Sequence, residues 1–197
     1  YFEWSGQSEY LESAMEKLTY IIPLTFIIIF VLIYLALKNM TYTLIIFFTL
    51  PFALSGGIIY LDYLDFNMSI AVVVGFLALL GVAAETSIVM LVYLHEAMHE
   101  LNEKIKEPNK IEIFNAIYKG AVLRLRPKLM TLFAILGGLI PIMYIHGVGS
   151  EVMQRIAAPM IGGMVSSAFL TLIIIPSIFY ILAIKQKGKM IGCDLNH

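Results

Sequence analysis

A single carboxylate interrupts a long apolar stretch of the sequence. Residues 66–94 are apolar almost throughout, and Glu85 is the one charged residue among them. A carboxylate inside an apolar membrane segment is costly, so it usually faces a bundle interior and marks a transport or proton path. Desolvation favours its neutral form and a nearby cation its ionised form. Glu85 is therefore a candidate proton carrier, and the alternative is a structural carboxylate that bonds to a neighbouring helix.

A second pattern with chemical meaning follows this apolar stretch. His95, Glu96 and His99 stand in the order His-Glu-Ala-Met-His, the helix-borne motif in which two histidines bind zinc and the glutamate acts as general base. A catalytic zinc also needs a third protein ligand and an enclosed site. The two histidines instead open a polar run, 95–110, without a recognisable third ligand. A membrane-embedded zinc metalloprotease is kept as the alternative hypothesis.

Two further candidates stand near the ends of apolar segments. Lys128 follows Arg-Leu-Arg-Pro, and its residue type alone favours an interfacial anchor. Only a contact with Glu85 would give Lys128 another role, and sequence spacing does not show that contact. Met153 is one of 11 methionines. Its thioether suits a soft ion such as Cu(I), although a methionine is usually core filler.

The composition indicates the class of protein that carries these residues. Of the 197 residues, 60% are hydrophobic and 14% charged, and the mean hydropathy is +0.87. A soluble domain is about half apolar and a quarter charged, so a membrane protein is predicted. The net charge of -1 argues against a nucleic-acid partner, and the single cysteine, Cys193, excludes a disulfide framework. Because residue 1 is Tyr, we expect a fragment of a longer chain.

Five apolar segments approach or reach the length of about 20 residues that a spanning helix needs. They are 18–37, 41–61, 66–94, 127–145 and 156–184. The predicted fold is an all-α integral membrane bundle, 18–184, with a periplasmic lead-in, 1–17, and a cytoplasmic tail, 185–197. In the predicted cytoplasmic loop, 95–126, Asn109 and Glu112 resemble a capping box. Apolar residues then recur at helical spacing, which predicts a short amphipathic helix on the membrane surface.

The basic residues predict the orientation of these spans. Of the 13 Lys and Arg residues, 11 lie at Lys38, in 95–128 and in the tail. Two spans separate each of these segments from the next, so all three lie on one side of the membrane, and the five spans place the N-terminus on the other. The positive-inside rule makes the side with these basic residues cytoplasmic, so the N-terminus is predicted to lie outside, which is the periplasm if the resemblance described below holds.

Small residues predict where helices approach closely. The pairs at four-residue spacing are Ala71/Gly75, Ala83/Ser87, Gly162/Ser166 and Gly163/Ser167. The Gly-Gly pairs at 56–57 and 137–138, each near a proline, are interpreted as packing or kink sites rather than phosphate loops.

Four stretches carry a resemblance to a known family. The run 81–94 with its Glu85 resembles the tenth transmembrane helix of resistance-nodulation-division (RND) exporters, specifically the copper/silver pumps of CusA type in the heavy-metal branch. Residues 1–7 (YFEWSGQ), 120–128 (GAVLRLRPK) and 149–163 (GSEVMQRIAAPMIGG) agree in order and spacing.

The resemblance implies a function and an assembly. The five spans would be helices eight to twelve of a twelve-helix, proton-driven pump of the bacterial inner membrane. Such a pump is a homotrimer that works with a periplasmic adaptor and an outer-membrane channel, and it transports Cu(I)/Ag(I) as substrate without a cofactor. Glu85 and Lys128 match the proton relay of the copper/silver type, and Met153 matches its methionine route for the metal. The fourth-helix acidic partner and the periplasmic metal site lie outside this sequence, so this chain alone is not expected to pump.

Overall fold

The computed structural model describes residues 7–105 and 108–185, apart from the side chains of 7–12, 15 and 185. These ranges form five α-helices: α1 (Gln7–Leu37), α2 (Met40–Tyr63), α3 (Ile70–Lys104), α4 (Lys110–Tyr144) and α5 (Ser150–Lys185). Each helix is long and apolar enough to span a bilayer, and the predicted all-α membrane fold is confirmed. The resemblance at 1–6 and most of the predicted tail, 186–197, lie outside the described residues.

Side-chain caps begin three of the helices where the apolar runs start. The Asn39 side chain accepts a hydrogen bond from the Thr41 amide at 3.0 Å, and Ser69 accepts one from Val72 at 3.5 Å. At the start of α4, the Asn109 amide donates to the Glu112 carboxylate at 2.7 Å. These bonds satisfy amides that lack a partner within the helix. The predicted capping box of Asn109 and Glu112 is confirmed.

All five helices are longer than the spans that the sequence predicts. Each of α3 and α4 has 35 residues, which at about 1.5 Å per residue exceeds the roughly 30 Å of a bilayer core. The predicted loop, 95–126, is therefore mostly helical: 95–104 continue α3, and 110–126 are the first half of α4. Likewise, residues 7–17 of the predicted lead-in are helical and belong to α1.

The predicted surface helix is not separate from the fourth span, and its packing explains why. Ile113 and Ile117 are buried in one apolar cluster with Leu94 and Met98 of α3. Gly120 lies so close to α3 that a β-carbon there would stand 3.0 Å from the Ala97 β-carbon. Ile113 and Ile117 therefore pack on the extension of α3, whereas Phe114 and Tyr118 stay exposed, and α4 continues through Pro127 as one helix.

Helix α5 packs against α2, α3 and α4, and glycines make its close approaches possible. A β-carbon on Gly162 would collide with Tyr60 and the Gly56 carbonyl of α2, and one on Gly163 would collide with Leu79 of α3. The hydroxyl of Ser166 donates to the Ala53 carbonyl at 3.1 Å. The prediction that small residues allow close helix packing is confirmed at these positions.

The second Gly-Gly pair behaves differently from the first. A β-carbon on Gly137 or Gly138 would meet nothing within 4 Å in the part of the chain that the structure describes. The prediction of a packing site at 137–138 is therefore corrected: these glycines lie on a face of α4 that no described helix covers.

Candidate functional site

Glu85 lies on α3 at the wall of a partly open cavity. The cavity measures about 110 Å³ and is lined by side chains of α3, α4 and α5. Glu85 itself is exposed, and the neighbouring hydroxyl groups of Thr86 and Ser87 donate to the Ala83 carbonyl at 3.1 and 2.8 Å. Because both hydroxyl groups donate their protons to the Ala83 carbonyl, neither donates a hydrogen bond to the Glu85 carboxylate.

Lys128 lines the same cavity from α4. It is only 8% exposed, and its ammonium nitrogen has no hydrogen-bond partner among the described residues. A buried ammonium group without a partner is unfavourable. An acceptor would therefore stabilise the Lys128 ammonium group. Glu85 is the carboxylate that lines the same cavity.

The structure brings Glu85 and Lys128 to one cavity but does not join them. No ion pair within 4.0 Å links the two side chains in the ranges 7–105 and 108–185. The cavity has room for a few water molecules, each of which occupies about 30 Å³ in the liquid. The relay role of Glu85 and Lys128 stays a prediction.

Four polar side chains of the cavity were not predicted as site residues from the sequence. Thr86 lines the cavity from α3, Arg124 and Thr131 line it from α4, and Ser167 lines it from α5. The Thr131 hydroxyl donates to the Pro127 carbonyl at 3.1 Å. Arg124, Lys128 and Thr131 stand at spacings of four and three residues, which places them on one helix face. That spacing was a usable signal, whereas nothing in the sequence pairs Ser167 with them.

Comparison with known proteins identifies the family to which this chain belongs. The family model for the AcrB/AcrD/AcrF family matches residues 1–183. The chain belongs to the AcrB/AcrD/AcrF family. It is 48% identical over 185 residues to the cation efflux system protein CusA of Escherichia coli (strain K12), which covers 91% of this chain and 17% of that relative.

Two further matches agree. The chain is 36% identical over 187 residues to the cobalt-zinc-cadmium resistance protein CzcA of Cupriavidus metallidurans, covering 93% of the chain and 16% of the relative. A crystal structure of a heavy metal efflux pump superposes with a TM-score of 0.75 and 30% identity, covering 93% of this chain and 18% of that one. The chain therefore spans less than a fifth of the length of these relatives.

The zinc motif does not form a metal centre in this AcrB/AcrD/AcrF segment. His95 is buried, with its ring 6.3 Å from that of Tyr42, whereas Glu96 is exposed. His99 lies 3.7 Å from the Glu103 carboxylate, one turn further along α3. Within the described ranges, no group of three His, Cys, Asp or Glu side chains could hold a metal ion. The zinc-protease hypothesis therefore has no support.

Met153 lies in the first turn of α5, at the end of the bundle where α4 ends. Its side chain is exposed, whereas its neighbour Gln154 donates to the carbonyls of Met143 and Ile145 at 3.2 and 2.9 Å. Gln154 thereby fixes the start of α5 against the end of α4, and Met153 projects from a well-anchored turn. Its role in binding metal stays a prediction.

Proposed function

We propose that this chain is part of the membrane domain of a proton-driven pump that exports Cu(I)/Ag(I) from the cell. The observation that carries the proposal is the cavity shared by exposed Glu85 and buried, unpartnered Lys128. The identity with a cation efflux protein and the similarity to a heavy metal efflux pump support metal export. The soft thioether of Met153 supports a soft cation as the substrate.

In the proposed cycle, Glu85 is the group that gains and loses the proton. When Lys128 is close, Glu85 is ionised and the two charges attract each other. When a proton neutralises Glu85, this attraction disappears, and Lys128 moves toward another acceptor. Since Glu85 is on α3 and Lys128 on α4, each charge state favours a different arrangement of these two helices. That coupling is how proton entry would drive a change in the access of the metal.

The proposed setting is the bacterial inner membrane, with the N-terminal end of this segment in the periplasm. The concentration of Lys and Arg at Lys38, in 95–128 and in the tail supports this orientation. Membership of the AcrB/AcrD/AcrF family supports a homotrimer that acts with a periplasmic adaptor and an outer-membrane channel. Cu(I)/Ag(I) is the proposed transported substrate, and no bound cofactor is proposed.

The decisive experiment compares two glutamates of the same helix in a full-length pump that contains this segment. Purified protein is reconstituted in vesicles, and proton uptake is measured after Ag⁺ is added. We expect Glu85→Gln to assemble normally but to show no Ag⁺-dependent proton uptake, because the amide keeps the shape of the side chain and does not titrate. The control, Glu96→Gln, changes an exposed carboxylate outside the cavity and should leave uptake unchanged. Normal uptake by Glu85→Gln would refute the proposal.

A further inference from the structure

An aromatic ring of α3 contacts one of the two cations of the cavity. The guanidinium carbon of Arg124 lies 5.1 Å from the centre of the Tyr93 ring. A cation within about 6 Å of an aromatic ring centre is attracted by the negative face of the ring. Arg124 lines the cavity, whereas Tyr93 is not among its lining residues. The contact with Arg124 therefore links the Tyr93 ring to the cavity.

The backbone next to Tyr93 is held at a fixed distance from α4. Gly120 stands one helical turn before Arg124, and a β-carbon at Gly120 would lie 3.2 Å from the Tyr93 carbonyl oxygen. Such a close approach of two helix backbones needs a residue without a side chain. The backbone of Tyr93 is thus fixed relative to the part of α4 that carries Arg124. The Tyr93 ring can therefore hold the guanidinium group in one place.

Two positively charged side chains of the cavity could compete for one carboxylate, and the contact with the Tyr93 ring can prevent this competition. Among the described residues, the lining side chains include two cations, Arg124 and Lys128, and one carboxylate, Glu85, and α5 contributes no charged group to the lining. An arginine forms strong two-pronged bonds with a carboxylate. If Arg124 were free to reach Glu85, it would compete with Lys128 for this carboxylate.

We infer that Tyr93 is a positioning residue that holds Arg124 away from Glu85 and so leaves Glu85 available to Lys128. This inference rests on the proposed function, in which Glu85 and Lys128 exchange partners during transport. The ring of Tyr93 carries the effect, and its hydroxyl group is not required. The effect should therefore survive in any residue with an aromatic face and disappear in an aliphatic residue.

The test measures Ag⁺-dependent proton uptake by a reconstituted full-length pump with substitutions at position 93. Tyr93→Leu should slow uptake about fivefold, as expected when a cation–π contact at a partly exposed ring is lost. Tyr93→Phe and Tyr93→Trp should stay within about twofold of the wild type, since both keep the ring face. If Tyr93→Leu does not accumulate, Tyr93→Met replaces it, with the same expected loss.

The matched control is Tyr34→Leu, which removes a partly exposed tyrosine of α1 that takes no part in the cavity. It should transport at the wild-type rate. Wild-type uptake by the aliphatic variants at position 93, or equal losses in Tyr93→Phe and Tyr93→Leu, would overturn the inference. Glu85→Gln in the same assay separates the two proposals. If it is inactive while Tyr93→Leu is normal, only this inference fails; if it is active, the proposed function fails.

Discussion

Glu85 and Lys128 line one cavity from adjacent helices, but Glu85 is exposed whereas Lys128 is enclosed and its ammonium group lacks a partner among the described residues. The enclosed member of the pair has more to gain from an ion pair, because a buried charge without a partner is unfavourable. Protonation of the exposed member would remove that gain. This asymmetry makes the position of Lys128, rather than that of Glu85, the part of the pair expected to respond to a proton.

Replacement of Lys128 by methionine should separate function from stability. Lys128→Met removes the charge and keeps an apolar side chain of similar length, so we expect a loss of Ag⁺ tolerance by at least tenfold in cells that carry the full-length pump. The free energy of unfolding should be unchanged or up to about 4 kcal/mol higher, because a buried charge is replaced by an apolar group. Cell growth in Ag⁺ and thermal unfolding in detergent provide the two measurements.

The matched control for that variant is Lys119→Met, which changes an exposed lysine of the same helix. It should leave Ag⁺ tolerance and stability within error of the wild type. Full Ag⁺ tolerance in Lys128→Met, at normal expression, would show that Lys128 is only an interfacial anchor and not part of the relay.

The contact between α2 and α5 at Gly162 should be sensitive to a single methyl group. In Gly162→Ala, the new β-carbon would collide with Tyr60 and the Gly56 carbonyl. Overpacking of this kind costs about 1–3 kcal/mol, so the variant should unfold at a lower temperature. Gly137→Ala is the control because its β-carbon meets no described atom within 4 Å, and the helix propensity of alanine should make it neutral or slightly stabilising. Equal destabilisation of both variants would contradict the assignment of the close contact to Gly162.

The number and order of the spans could be predicted because hydropathy depends on local composition. The boundaries could not, since residues 95–104 are polar and resemble a loop, yet they extend α3 and receive Ile113 and Ile117 of α4. The four-residue spacing of small residues correctly predicted the close contact of Gly162 with α2, whereas the Gly-Gly pair at 137–138 wrongly predicted a packing site, since Gly137 meets no described atom within 4 Å. Partner choice between helices depends on their rotation and depth, and neither is encoded in a short pattern.

The candidate site, like the fold, could be predicted from the sequence only in part. Glu85 stood out because a charge in an apolar segment is rare, and Lys128 was singled out at the start of the fourth span. Their common cavity depends on how α3 and α4 cross, which the sequence does not show. From the sequence, Arg124 is only one of the basic residues of 95–128. In the structure its guanidinium group contacts the Tyr93 ring and it lines the cavity, which distinguishes it from an ordinary interfacial anchor.

The proposed orientation predicts opposite labelling at the two ends of α2. In a Cys193→Ser background, which removes the single cysteine of this sequence, one cysteine is introduced at either Asp62 or Lys38. Both positions are exposed. A membrane-impermeant maleimide added to spheroplasts should label Asp62→Cys at once and Lys38→Cys only after permeabilisation. The reverse order would place the basic stretch 95–128 in the periplasm and contradict the orientation.

The last prediction concerns the sulfur of Met153. Met153→Leu keeps the volume of the side chain and removes the soft ligand. Because Met153 is 57% exposed, its replacement should change the free energy of unfolding by less than about 0.5 kcal/mol. We nevertheless expect a severalfold loss of Ag⁺ tolerance if this thioether binds the transported ion. Met68→Leu is the matched control, since Met68 is exposed between α2 and α3 at the same end of the bundle. Equal Ag⁺ tolerance in Met153→Leu, Met68→Leu and the wild type would assign Met153 to packing alone.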